Sequence, residues 1–114
     1  MELSDLVVDR IFHALADATR RDIVRRTLTT DASVSELAAA YSMSFAAVQK
    51  HVAVLEGAGL VNKKPQGRTR IVRADAQTIA RAQQLLDAYA LLWRSRIERL
   101  DAVFAEDDAS SPST

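Results

Sequence analysis

The chain has 114 residues, no cysteine, and 15 acidic against 15 basic side chains. That length suits one domain, and the missing thiols exclude disulfides, thiolate metal sites and thiol redox sensing. No apolar run approaches the ~20 residues of a membrane span, and Glu2, Asp5 and Asp9 occupy the stretch where a secretion signal would be basic and then apolar, so a cytoplasmic protein is expected.

In chain order, Ser4 can cap a helix over 5–16 in which Leu6, Val7, Ile11, Ala14 and Leu15 recur at helical spacing. Asp17 suits the N-cap of a second helix, Ala18 to Leu28, with Ile23, Val24 and Leu28 as its apolar side. Thr29 to Ala32 reads as a loop. Ser33-Val34-Ser35-Glu36 then fits a capping box at the start of a short third helix, with Leu37, Ala38 and Tyr41 facing inward. After a tight connection at Ser42-Met43, Ser44 can cap a fourth helix that runs through Val48, Val52 and Leu55 to Ala58. Gly59 stands where a glycine closes a helix.

Two β-prone runs, 60–64 and 68–74, flank Pro65-Gln66-Gly67 and predict a hairpin. Asp75 opens a last helix, 76–106, in which Ile79, Ala82, Leu86, Tyr89, Trp93, Ile97, Leu100 and Phe104 follow one another at steps of three or four residues. At ~1.5 Å per residue this helix is ~46 Å long, more than so small a chain can cover with its own core. A partner copy is therefore expected on it. A pocket lined by Leu85, Tyr89 and Trp93 is the competing reading of part of that seam. The polar tail 107–114 is expected to be disordered, leaving 1–106 as the folded domain.

The zero net charge conceals an uneven distribution. Residues 17–74 hold ten bases (Arg20, Arg21, Arg25, Arg26, Lys50, Lys63, Lys64, Arg68, Arg70 and Arg73) against five acids, a local charge of +5. A basic middle in a neutral chain points to a polyanion site. The third and fourth helices with their short turn form a helix-turn-helix candidate, and the hairpin would be its wing. The B-DNA major groove admits one α-helix, whose N-terminal half meets the base edges. Here that half offers Ser44, Phe45, Ala46, Gln49 and Lys50. Gln49 can bond an adenine edge with both ends of its amide, Lys50 can reach guanine or phosphate, and small Ala46 and Ala47 let the helix sit deep. In the wing, strand alternation sets Arg68 and Arg70 on the face opposite Ile71, where they can follow the backbone into a minor groove. Lys63 and Lys64 add to the same charge. The fold expected is mainly α with a small β-hairpin: a winged helix-turn-helix of four helices, a hairpin and a long helix.

These same segments resemble the ArsR/SmtB repressor family. Leu15-Ala16-Asp17-Ala18-Thr19-Arg20-Arg21-Asp22-Ile23-Val24 is similar to its "LadptRrrIL" signature, and Ser35-Glu36-Leu37-Ala38 to its "v-eLA". The run from Val48 to Val61 is similar to "VSrHLkvLreAGLV", and Gly67-Arg68 to the wing "GR". The resemblance implies a homodimer joined through the first and last helices, with Leu6, Ile11, Leu86, Tyr89, Trp93, Ile97 and Leu100 at the interface. It also implies repression by covering a double-stranded DNA operator, with contacts from Ser44, Gln49, Lys50, His51 and Arg68. The sequence departs from the family pattern at Gln49, where serine is usual, and at Phe45, where glutamine is frequent, so the operator is expected to be particular to this chain.

Metal-sensing relatives place cysteine pairs near the third helix, or Asp and His on the last. This chain has neither arrangement; its two histidines are His13 and His51, and no metal and no cofactor are expected. No catalytic constellation appears, and Glu36 is accounted for by the capping box, so an enzyme is excluded. The alternatives left open are a winged helix that binds protein instead of specific DNA, and an architectural or activating DNA-binding factor. Whether a small molecule or a protein acts as effector is also open.

Overall fold

The computed structural model describes residues 4–110, with side chains to Asp107. Its elements run α1 Asp5–Leu15, α2 Ala18–Thr29, β1 Ala32–Ser33, α3 Val34–Tyr41, α4 Phe45–Gly57, β2 Val61–Gln66, β3 Thr69–Ala74 and α5 Ala76–Ser110. The chain divides between Ala82 and Gln83 into two compact units. Among the described residues no helix is long and apolar enough to cross a membrane.

In the first unit, every expected helix start is built by the side chain predicted for it. Ser4 accepts from the Val7 amide at 3.3 Å, Asp17 from Arg20 at 3.0 Å and Ser44 from Ala47 at 3.1 Å. At α3 the capping box is complete: the Glu36 amide donates to the Ser33 hydroxyl at 3.0 Å, and the Ser33 amide to the Glu36 carboxylate at 3.2 Å. Each cap satisfies amides that the first turn of a helix leaves without partners. α3 ends on Ser42 in the left-handed region, φ 53°, which reverses the chain sharply into α4. α4 ends at Gly57 with Ala58 as its cap, Gly59 follows at φ 76°, and the Leu60 amide reaches back to the Leu55 carbonyl at 3.0 Å. That is the glycine-dependent stop expected there.

The sheet has three antiparallel strands in the order β1-β3-β2. β2 and β3 form the hairpin, with Val61 opposite Ala74 and Gln66 opposite Thr69. β1 takes Ala32 from the segment expected to be a loop and Ser33, the expected cap of α3. Its two residues pair with β3, Ala32 opposite Val72 and Ser33 opposite Ile71. A strand this short has no periodicity to detect, and its partner lies some forty positions away.

The core gathers Ile11 and Ala14 of α1, Ile23 and Val24 of α2, Leu37 of α3, Val48, Val52 and Leu55 of α4, and Leu60, Val61 and Val72 around the hairpin. Ile11 is 0% exposed, which corrects its expected place at a subunit interface. Leu6 and Ile11 are five residues apart, so ~140° separates them around the helix. Leu6 remains exposed while Ile11 faces the chain's own core. On α2, Leu28 is 49% exposed and buried Thr27 stands in the expected apolar position, its hydroxyl donating to the Ile23 carbonyl at 2.7 Å.

The second unit is helical. α5 continues to Ser110, beyond the expected end at Glu106. Polar residues alone do not stop a helix, and no Gly or Pro intervenes there. Residues 111–114 lie outside the described residues. Leu86, Tyr89, Trp93, Ile97, Leu100 and Phe104 are all exposed within the single chain.

Candidate nucleic-acid interface

α3, the turn at Ser42 and α4 make the helix-turn-helix, and β2-β3 make the wing. Val48 and Val52 are fully buried and fix the rotation of α4 about its axis. That rotation leaves Ser44, Phe45, Ala46, Gln49 and Lys50 exposed, as the sequence predicts. The Ser44 oxygen is already engaged as the α4 cap. Phe45 and Gln49 stand one turn apart and line an open groove whose other wall carries Lys63, Arg68, Thr69 and Arg70, with Ser35 at the start of α3.

The fold treats the basic residues of the middle section in two ways. Most are consumed internally. Arg20 donates through Nε to the Ala14 carbonyl at 2.7 Å and through Nη2 to the His13 carbonyl at 3.1 Å, while Arg21 donates to the Leu15 carbonyl at 2.8 Å. Together they complete the last turn of α1, whose carbonyls have no helical partners and attract positive charge. Arg25 and Arg26 both bind Asp22, and Tyr41 donates its hydroxyl to the same carboxylate. The Tyr41 hydroxyl, then Arg26 and Arg25, hold the Asp22 carboxyl well below the usual carboxylate range. Burial, reinforced by the Asp22 hydrogen bond, pushes the Tyr41 phenol up to about 12. Arg26 also lies over the Tyr41 ring, 5.2 Å from its centre. Arg73 of β3 makes a forked pair with Asp31, 2.6 Å at its shortest, and this holds the Asp31 carboxyl below its ordinary value.

Lys50, Arg68 and Arg70 differ: among the described residues they hold no ion pair and no side-chain hydrogen bond. The expected wing contacts therefore separate. Arg68, in the hairpin turn, and Arg70 stay open beside Gln49. Lys63 lies 3.6 Å from Glu56 with only 13% of its side chain exposed, so it braces the wing against α4. Lys64 pairs in register with Ile71 and lies on the opposite face of the hairpin, in a hollow with Asp31 and Arg73. His51, expected to serve either DNA or structure, is 20% exposed and turns inward. Its Nδ1 is 3.4 Å from Arg20 Nη1 and 3.9 Å from Asp17 Oδ2, which ties α4 to the α1–α2 corner.

Two features were not foreseen in the sequence: the α2 arginines serving α1, and Ser35 and Thr69 in the groove. The pairing of Asp22 with Arg25 and Arg26 follows i,i+3 and i,i+4 spacing and was available as a signal. The α1 carbonyl contacts had none, because backbone acceptors leave no mark in a sequence. Among the described residues no three His, Cys, Asp or Glu side chains gather as a metal-ligand set.

A recognition helix held by a buried valine pair, a basic wing beside it and a groove between them define a winged helix-turn-helix DNA-binding protein. The profile of the bacterial regulatory protein arsR family matches residues 17–63. The HTH-type transcriptional regulator Rv2034 of Mycobacterium tuberculosis is 40% identical over 81 residues, 71% of this chain and 76% of that protein. An ArsR-like transcriptional regulator from Rhodococcus sp. RHA1 superposes with a TM-score of 0.76 at 28% identity, over 86% of this chain and 92% of that one. The homodimeric winged helix-turn-helix domain of Mb0332 from Mycobacterium bovis shares the fold, with a TM-score of 0.63 at 24% identity, over 79% and 89% of the two chains. The chain belongs to the ArsR family of transcriptional regulators.

Proposed function

We propose that the chain binds a double-stranded operator as a homodimer and represses transcription by covering it, in the cytoplasm and without metal as its signal. One observation carries the DNA reading: Phe45, Gln49, Arg68 and Arg70 line a single open groove, and among the described residues neither arginine has a partner. α4 enters the major groove, where Gln49 bonds an adenine edge and Lys50 meets guanine or phosphate. Arg68 and Arg70 follow the backbone.

The dimer reading rests on α5. Leu86, Tyr89, Trp93, Ile97 and Leu100 are 38–58% exposed along one side of the helix, an apolar seam that water covers poorly and a second copy covers well. The Mycobacterium bovis domain, described as homodimeric, supports it by analogy. Two recognition helices then lie in successive major grooves, ~34 Å apart, on an inverted repeat. Metal independence rests on the ligand inventory. There is no cysteine, and of the two histidines His51 is committed to Arg20 and Asp17.

The test is binding of the purified chain to a randomised duplex library and to its own upstream region, across a salt series and with zinc or chelator. Binding should be sequence-specific, fall steeply with salt and ignore both metal treatments. Gln49→Ala should alter base preference; an unchanged preference would remove α4 from the groove. Trp93→Asp should give monomers that lose the full operator, and a monomer binding at wild-type affinity would overturn the dimer.

A further inference from the structure

We infer that Phe45 is a specificity-determining residue that reads the C5-methyl group of a thymine in the major groove, beside the base read by Gln49. The inference rests on the DNA reading above. Phe45 is half exposed, at 50%, and it is not among the hydrophobic residues packed against the core. The fold does not require it, because the N-terminus of α4 is built by the Ser44 cap and the helix is seated by Val48, Val52 and Leu55. A large ring left in water at the first position of α4 is a standing cost unless something apolar covers it.

What could cover it is constrained by its surroundings. The ring lines a groove whose opposite wall carries Lys63, Arg68 and Arg70. That wall attracts a polyanion and disfavours an apolar protein surface, which would bury the unpaired guanidinium groups of Arg68 and Arg70. The apolar element that a polyanionic duplex presents in its major groove is the thymine methyl, and phenylalanine is among the side chains that contact it. Gln49 lies one turn further along the same side of α4. Four residues advance ~6 Å along a helix, and base pairs are stacked ~3.4 Å apart. The thymine should therefore lie within about two base pairs of the position that Gln49 reads.

The experiment uses the full chain and the operator obtained by selection from a random duplex library. Each thymine is replaced in turn by deoxyuridine, which removes the methyl and leaves the pairing edge intact. Burying one such group is worth ~0.8 kcal/mol, so at one position per half-site the replacement should weaken binding about four-fold. That position should lie within about two base pairs of the one whose preference changes in Gln49→Ala. Phe45→Ala should make thymine and deoxyuridine operators equal at that position, while Phe45→Leu should keep part of the difference. Thermal melts of both variants should match the wild type, since the ring is outside the core. A specific operator that is indifferent to deoxyuridine everywhere overturns the inference and leaves the DNA reading standing. A difference that persists in Phe45→Ala also overturns it. Tighter binding of a 5-methylcytosine·guanine pair than of thymine·adenine at that position would overturn thymine as the source of the methyl. If selection yields no operator at all, the DNA reading fails and this inference fails with it.

Discussion

Two parts of the chain carry clusters of positive charge, and they differ in how much of it the fold uses internally. On α2, four arginines fall within seven residues, and every one is engaged internally. Arg20 and Arg21 hold the carbonyl end of α1, and Arg25 and Arg26 bind Asp22. On α4 and the hairpin, Lys50, Arg68 and Arg70 face solvent and hold no partner among the described residues. The lesson is that a basic segment marks a nucleic-acid surface only after the charges that the fold spends on itself are set aside. Much of the local +5 is scaffold.

This contrast can be broken by exchanging its terms. The largest effect is expected at Arg20. Arg20→Ala removes the donors to two α1 carbonyls and the contact with His51. It should cost about 3 kcal/mol, since hydrogen bonds from a charged group are worth ~1.5–3 kcal/mol each and only part of that is lost where water replaces them. The urea midpoint should fall, while the folded fraction keeps its operator preference. If stability were unchanged and DNA affinity fell, α2 would belong to the DNA surface. The reverse is expected for Arg68→Ala with Arg70→Ala. The melting curve should be unmoved, affinity should fall evenly over all sequences, and the salt dependence should flatten by about one ion per arginine, as fluorescence anisotropy can measure.

The smallest effect is the pH dependence of the Asp22–Tyr41 pair. The folded pKa of Asp22 lies below its ordinary 3.8, so its contribution is present above that value and is lost as pH falls further. Tyr41 moves the other way, from 10.0 to about 12. Its contribution is complete below pH 10 and is lost as pH rises toward 12. Urea midpoints of Tyr41→Phe should therefore lie below those of the wild type at neutral pH and converge with them at both extremes. A constant offset across the range would assign the loss to packing alone.

Helix starts and stops were legible because caps are local chemistry: Ser4, Asp17, Ser33 with Glu36, Ser44 and Gly59 each act within a few residues of their position. The groove residues Phe45, Gln49, Arg68 and Arg70 were legible because the buried valines of α4 set its rotation and Gly67 set the hairpin turn. What stayed hidden depended on tertiary contact. β1 exists only by pairing with β3. Lys63 and Lys64 are neighbours on a strand, so they point to opposite faces, and only the register shows that one meets Glu56 and the other approaches Asp31. Ile11 was misplaced by treating one apolar helix as having one apolar face. The extent of α5 was underestimated because polarity was taken as a stop signal where no breaker stands.

Ser33 is at once the last residue of β1, paired opposite Ile71, and the cap of α3. Two residues earlier, Asp31 grips Arg73 of β3. The wing and the helix pair are thus joined through β1 as well as through the chain between α4 and β2. Strand pairing closes at Gln66 opposite Thr69, so Gly67 and Arg68 alone form the turn. The angle between wing and recognition helix is set by the Ser33–Ile71 pairing and the Asp31–Arg73 pair, and Arg68 at the turn holds no partner among the described residues.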